Sequence, residues 1–104
     1  MIVEQRDYQV YTGKLPELVR LYAEEGIELQ KSHLGNLIGW FTVDVGALST
    51  VVSLWGYPDA GDREERRKKL QADPAWQAFL AKIQPLIHTQ VNRILVPVAF
   101  SPIQ

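Results

Sequence analysis

The feature that most constrains the fold is a pair of strand-like segments, residues 36–44 and 50–57, joined by a short turn. Alternate residues of a strand point to opposite faces of a sheet. Apolar residues accordingly fall on both faces, with Leu37, Phe41 and Val43 on one and Ile38 and Trp40 on the other. A sheet that is apolar on both faces needs cover on both. The helical segments of this chain suffice for one face, so we expect the other to meet a second copy of the protein.

Before this pair, the spacing of apolar side chains changes from the period of a strand to the period of a helix. Residues 2–11 alternate as a strand, and residues 15–29 carry apolar side chains at helical spacing, with Gly35 as a stop signal. A glycine inside a helix costs about 1 kcal/mol relative to alanine. Gly26 therefore predicts either a local irregularity or a close packing contact.

A second helical region follows the paired strands. Asp62, with Glu65 three residues later, resembles a capping box and predicts a helix that starts near Asp62. The charged run over residues 63–69 is interpreted as a solvated helix face. Asp73 followed by Pro74 predicts a new helix start, because aspartate caps helices and proline suits the first turn.

The last element is a strand. Pro85 ends the second helical region, and residues 88–100 alternate with β-branched side chains. Proline lacks the N–H group that a central strand needs, so Pro97 predicts an edge position or an interruption.

The element order is thus strand, helix, strand, strand, helix, strand. A single antiparallel sheet with short right-handed crossovers then gives an α+β fold of the ferredoxin-like βαββαβ type, one domain over residues 1–104, with both helices on one face. A monomer rarely exposes a contiguous apolar patch beyond a few hundred Å². We therefore predict a homodimer in which two sheets pack face to face.

Composition excludes several classes of protein and site. There is no cysteine, which excludes disulfides and thiolate chemistry. A net charge of -1 argues against nucleic acid or an anionic membrane surface as partner. No apolar run approaches the roughly 20 residues of a membrane span. Charged residues stand near the start, where a signal peptide would carry its apolar segment. We therefore expect a cytoplasmic protein.

Three polar residues of different chemistry share one face of the first strand: Glu4, Arg6 and Tyr8. In a binding interpretation, Arg6 holds an anion of the ligand and the Tyr8 hydroxyl contacts a carbonyl group. In a structural interpretation, Arg6 pairs with Glu4 or another carboxylate and satisfies buried polar groups. The second interpretation is favoured, because a fold alone does not imply a functional site.

The two histidines, His33 and His88, are the first candidates for a general acid or base, because their ordinary pKa is near neutrality. We take His33 as the candidate catalytic residue, while a capping or surface role is the more common use of such histidines. Trp40 and Trp55 are candidates for the wall of an apolar pocket, which core packing explains equally well. Nothing in the spacing indicates a metal site, and no glycine-rich phosphate loop or other cofactor motif is present, so no cofactor is predicted.

Several short motifs occur in a set order along nearly the whole chain: Glu4-x-Arg6-x-Tyr8, His33-Leu-Gly, Trp55-x-Tyr57, Arg63-Glu-Glu-Arg-Arg, Asp73-Pro-x-Trp76-x-x-Phe79 and Asn92-Arg-Ile-Leu-x-Pro97. Together they resemble the NIPSNAP family. The resemblance implies the dimeric α+β barrel fold and a small homodimeric protein of uncharacterised function. Eukaryotic members are associated with mitochondria and vesicle trafficking. Since the first residues do not read as a transit peptide, that location is not expected here.

Two functions remain open. The first is a small-molecule enzyme or binding protein with a pocket between sheet and helices, as in the monooxygenases and lyases that share the implied fold. Arg6, Tyr8, Trp40 and Trp55 would then bind the ligand, and His33 would act as acid or base. The second is a non-catalytic protein-interaction module. A concave apolar cavity containing Arg6, Tyr8 or a histidine favours the first function.

Overall fold

The computed structural model describes residues 1–104 as an antiparallel sheet with helices on one face. The elements in chain order are β1 (Ile2–Val10), α1 (Leu15–Leu21), a π-helical turn (Tyr22–Gly26), α2 (Ile27–Leu34), β2 (Asn36–Thr42), β3 (Thr50–Tyr57), α3 (Ala60–Ala72), α4 (Pro74–Ile83), a 3-10 turn (Gln84–Leu86) and β4 (Ile87–Leu95). None of these helices has the length and apolar composition that crossing a membrane requires.

The strand order is β2-β3-β1-β4, and every neighbouring pair is antiparallel. This arrangement is the ferredoxin-like α+β fold, which confirms the prediction from the element order. β4 lies at an edge of the sheet and ends at Leu95, two residues before Pro97. The position of Pro97 thus agrees with its lack of a backbone donor.

The core lies between the sheet and the helices. The face of β1 that carries Glu4, Arg6 and Tyr8 is the helix-covered one, because Glu4 stands opposite Trp55 and Tyr8 opposite Val51, both fully buried core residues. The other face of the sheet has no helix over it. The tail, residues 96–104, lies against one end of this open face, where its Ile103 lines a surface pocket together with Val3.

Both alternatives predicted for Gly26 occur together. The helix widens into the π-helical turn Tyr22–Gly26, and the ring of Phe79 from α4 packs directly on Gly26. The missing side chain therefore allows close packing between two helices, which outweighs the low helix propensity of glycine.

The start of α3 differs from the prediction. The helix begins at Ala60, and Asp59, three residues before the predicted start, is the cap, accepting a hydrogen bond from Asp62 N at 2.8 Å. Asp62 lies within the first turn. The predicted cap at Asp73 is confirmed, since its carboxylate accepts a hydrogen bond from Ala75 N at 2.9 Å.

The predicted faces of β2 are wrong for its first half. Leu37 pairs with Trp55 but Gly39 pairs with Leu54, so the strand contains an irregularity of one residue between Leu37 and Gly39. Such a bulge reverses the alternation of the side chains that follow. Leu37 and Trp40 consequently both pack against the helix-covered core, while Phe41 lies on the open face and is 53% exposed.

Candidate ligand-binding cavity

A cavity of about 200 Å³ lies between the helix-covered face of the sheet and the helices. Its polar wall includes Arg6 and Tyr8 of β1, Gln30 of α2, Arg67 and Gln71 of α3, Gln84 of the 3-10 turn and Gln90 of β4. Its apolar wall includes Trp76, Leu80 and Ile83 of α4 together with Ile87 of β4. Ligand sites usually combine an apolar lining with a few polar groups, and drug-sized ligands occupy roughly 300–1,000 Å³. At about 200 Å³ this cavity is below that range and suits a molecule smaller than a typical drug.

The polar wall rests on a completely buried carboxylate, that of Glu4. Glu4 Oε2 accepts hydrogen bonds from Arg6 Nη1 at 2.9 Å and from Arg63 Nη2 at 2.8 Å. Arg6 Nε also donates to the Tyr8 hydroxyl at 2.8 Å. Arg6 is thus paired as the structural interpretation expects, and it lines the cavity as well. These bonds fix the orientation of Arg6 and Tyr8.

The charges around Glu4 keep it ionised. Burial acts to raise the pKa of Glu4, but the hydrogen bond from Arg63 and the positive charges of Arg6, Arg63 and Arg67 outweigh it, and the pKa lies below its ordinary value. The hydrogen bond to Glu4 is also the main reason why the pKa of Arg63 is raised. An ionised carboxylate at this depth requires such partners, because burying an unpaired charge is costly.

Arg67 differs from the other two arginines in this cluster, because it donates no hydrogen bond to Glu4. Its Nη1 is buried without a hydrogen-bond partner, as is Nε of Arg63, whereas Arg6 and Arg63 both donate to Oε2 of Glu4 and leave the buried Oε1 unpartnered. Burial, reinforced by the positive charge of Arg6, lowers the pKa of Arg67. The cavity wall thus contains a guanidinium that the protein itself does not fully satisfy.

A second unsatisfied polar group lies in the same wall. Gln30 is 3% exposed, and its Oε1 has no hydrogen-bond partner. Beside it, Tyr22 packs edge-on against Phe79 with ring centroids 4.9 Å apart. Burial raises the pKa of Tyr22 far above its ordinary value, so its hydroxyl stays neutral. Buried polar groups in proteins are nearly always hydrogen-bonded, so an orphan group in a cavity wall points to a missing partner.

His33 does not line this cavity. It lies in the last turn of α2, where its Nε2 is 2.8 Å from Asp73 Oδ2 at the start of α4, and it borders a separate polar groove on the surface. Its backbone carbonyl accepts a hydrogen bond from Arg66 Nη1 at 3.2 Å. His33 thus links the ends of three helices. The other histidine, His88, packs on Tyr11 at the opposite edge of the sheet.

The two candidate tryptophans lie behind the wall and do not form it. Trp55 is fully buried in the core, and its Nε1 donates to Ser53 Oγ at 3.2 Å. Trp40 is half-buried and packs on Tyr22, with ring centroids 5.0 Å apart. The tryptophan that does line the cavity is Trp76, a buried residue of α4.

Sequence reasoning missed Arg63, Arg67 and Gln30. The charged run 63–69 was interpreted as a solvated face, and Glu64, Lys68 and Lys69 are indeed exposed. Arg63 and Arg67, however, lie one turn apart on the inner side of α3, followed by the buried Leu70. Arginines at spacing i and i+4 that continue into an apolar position were the available signal.

Comparisons with known proteins agree with this architecture. A model of the NIPSNAP family matches residues 3–102. A NIPSNAP family protein from Agrobacterium tumefaciens is 50% identical, with a TM-score of 0.97 over 99% of this chain and 98% of that one. An antibiotic biosynthesis monooxygenase, 13% identical, shares the fold alone, with a TM-score of 0.67 over 94% of this chain and 99% of that one.

Animal relatives are similar over one part of their length. Protein NipSnap homolog 1 of Danio rerio is 32% identical over 103 residues, which are 99% of this chain and 36% of the relative. Protein NipSnap homolog 2 of Homo sapiens is likewise 32% identical, over 99% of this chain and 35% of its own length. The chain thus spans about a third of these curated relatives. Because the family model covers nearly every residue and a structural relative of the same family aligns from end to end, this chain belongs to the NIPSNAP family.

Proposed function

We propose that this NIPSNAP protein binds a small organic molecule in the cavity between the sheet and the helices. The observation that carries the proposal is the combination of an apolar wall with buried polar atoms that lack partners, Gln30 Oε1 and Arg67 Nη1. A ligand would supply those partners and would bury its apolar part against Leu80 and Trp76. Core packing alone does not call for unsatisfied polar groups beside an open volume.

The proposal is tested by titrating the protein with small probes and following tryptophan fluorescence and backbone amide shifts. Suitable probes are benzamide and benzoate, which fit an apolar wall and carry one polar group. Trp76 reports directly, because it lines the cavity. We expect saturable changes centred on residues of the cavity wall. Changes spread evenly over the surface, or none at millimolar probe, would contradict the proposal.

A cavity-filling variant locates the binding. Leu80→Phe adds volume inside the cavity, at a half-buried position that tolerates it, and is expected to weaken probe binding about tenfold, or by about 1.4 kcal/mol. Leu29→Phe is the matched control, since Leu29 is also half-buried against the core but does not line the cavity. Equal effects of both variants would place the binding elsewhere.

We also propose that the protein acts as a homodimer. The open face of the sheet carries Phe41 at 53%, Val91 at 48% and Leu95 at 39% exposure, and no helix covers them. The tail adds Val98 at 55% and Phe100 at 91%. Exposed apolar groups of this number on a flat sheet suit an isologous contact with a second copy.

Light scattering at micromolar protein tests the dimer, with an expected mass about twice that of the chain. Phe41→Glu places a charge on the open face and is expected to give monomers. Val45→Glu is the control, because Val45 is 89% exposed in the turn between β2 and β3. A wild-type monomer would contradict the proposal.

A further inference from the structure

The charges around the cavity do not balance. Glu4 is the fully buried carboxylate of the cluster, and its Oε2 already accepts hydrogen bonds from Arg6 and Arg63. Arg67 adds a third guanidinium, whose positive charge helps to lower the pKa of the same carboxylate. Three positive charges thus surround one negative charge. Arg63 is 27% exposed and Arg67 is half-buried, so water screens part of this positive charge, but the surplus still favours the entry of another anion.

Arg67 is the group best placed to receive that anion. It lines the cavity, its Nη1 is buried without a partner, and neither oxygen of Glu4 is bonded to it. A guanidinium offers several donors in a planar fork that matches the two oxygens of a carboxylate. In a site with little water, such a charge-assisted pair is stronger than a pair of neutral groups.

Gln30 provides independent support that a ligand belongs here. It lies on α2, a different element from Arg67, it is only 3% exposed, its Oε1 has no hydrogen-bond partner, and the residue lines the same cavity. Trp76, Leu80 and Ile83 form an apolar part of the wall, while Gln71, Gln84 and Gln90 add neutral polar groups. The cavity therefore combines cationic, neutral polar and apolar groups.

We propose that the ligand is a small organic carboxylate, whose carboxylate group is bound by Arg67 and whose apolar body packs on Trp76, Leu80 and Ile83. This inference rests on the proposed function, since it requires that the cavity bind a ligand at all. It adds the charge of the ligand and the residue that recognises it. Arg6 is held by Glu4 and Tyr8, so it acts as a fixed positive neighbour of Arg67.

Benzoate and benzamide test the inference, because they have the same shape and differ in charge at neutral pH. In the wild-type protein, we expect benzoate to bind about 10- to 100-fold more tightly than benzamide, the size of a charge-assisted hydrogen bond. Arg67→Gln should remove this preference by weakening benzoate alone. Arg20→Gln is the matched control, since Arg20 is exposed on α1 and should leave the preference intact.

The outcomes separate the two proposals. If neither probe binds the wild-type protein, the proposed function fails and the inference fails with it. If both probes bind equally, and Leu80→Phe weakens both, the cavity binds ligands but the carboxylate assignment is overturned. Should Arg67→Gln fail to fold, Arg67→Lys retains a charge without the planar fork and should reduce the preference for benzoate. An unchanged preference in that variant would overturn the role of Arg67.

Discussion

The ring of Phe79 occupies the space that a side chain on Gly26 would need. A Cβ atom at position 26 would lie 2.3 Å from Phe79 Cζ, well inside van der Waals contact. Gly26 ends the π-helical turn between α1 and α2, so the widened helix and the missing side chain together let α4 approach. Because α4 also carries Trp76 and Leu80, this contact sets the position of the apolar wall of the cavity.

Gly26→Ala should therefore destabilise the protein, although alanine is the better helix former. We expect a loss of about 1–3 kcal/mol in the free energy of unfolding, because the new methyl group has to displace a buried ring. Urea denaturation measures this loss. Gly61→Ala is the control: the nearest atom to its Cβ is at 3.4 Å, so it should be neutral or slightly stabilising. A stabilising Gly26→Ala would show that the Phe79 ring moves away readily.

Glu4→Gln should be among the most destabilising polar substitutions. The change leaves Arg6 and Arg63 without their shared carboxylate at a fully buried position, and breaking a buried ion pair costs about 3–5 kcal/mol. The control is Glu64→Gln, which removes an exposed pair with Lys68 and should change stability by less than about 0.5 kcal/mol. Urea denaturation of both variants at neutral pH provides the comparison.

The same carboxylate predicts how stability depends on pH. Burial raises the pKa of Glu4, the three arginines lower it more, and the net pKa is below the ordinary 4.5. The unfolded chain thus binds the Glu4 proton at higher pH than the folded protein does. The contribution of Glu4 is complete above pH 4.5 and is lost as the pH falls through the folded pKa. The stability difference between wild type and Glu4→Gln should consequently shrink below pH 4.5, whereas a constant difference would contradict this account.

Local patterns were sufficient to predict the order of the elements and several details. The alternation of Glu4, Arg6 and Tyr8 placed them on one strand face, and that face does border the cavity. Asp73 was predicted as a helix cap because capping depends only on neighbouring residues. Gly26 stood out because its cost inside a helix required a reason.

The features that were missed depend on contacts between distant parts of the chain. The bulge after Leu37 sets the faces of β2, and it depends on pairing with β3, which a simple alternation count ignores. Arg67 resembles its exposed neighbour Lys68 in sequence, and only the packing of α3 on the sheet turns it inward. His33 meets Asp73 across 40 positions, a partner that no local motif contains.

His33→Gln tests whether this histidine belongs to the site. His33 bonds to Asp73 and does not line the cavity, so the variant should change probe affinity by less than about twofold, or 0.4 kcal/mol. The unfolding free energy should fall by about 1 kcal/mol through loss of the hydrogen bond. The control is His88→Gln, at an exposed ring that packs on Tyr11, with no expected effect on probe affinity. A large loss of binding in His33→Gln would assign the histidine to the site after all.

Arg63 and Arg67 lie one turn apart on α3 and should respond oppositely to the same substitution. Arg63→Met removes a hydrogen bond at 2.8 Å to the buried Glu4, so we expect a loss of about 1.5–3 kcal/mol in the unfolding free energy. Arg67→Met replaces a half-buried guanidinium, whose Nη1 lacks a partner, with an apolar chain of similar length and should stabilise the ligand-free protein by about 1 kcal/mol.

This contrast separates a binding residue from a structural one. A residue retained for ligand binding is often unfavourable for stability when the ligand is absent, whereas a structural residue is not. Thermal unfolding of the two variants and the wild type, each with and without benzoate, measures both properties. Benzoate should raise the melting temperature of the wild type and leave that of Arg67→Met unchanged, because a ligand stabilises only the form that binds it. Destabilisation by Arg67→Met to the same extent as by Arg63→Met would identify Arg67 as a second structural partner of Glu4.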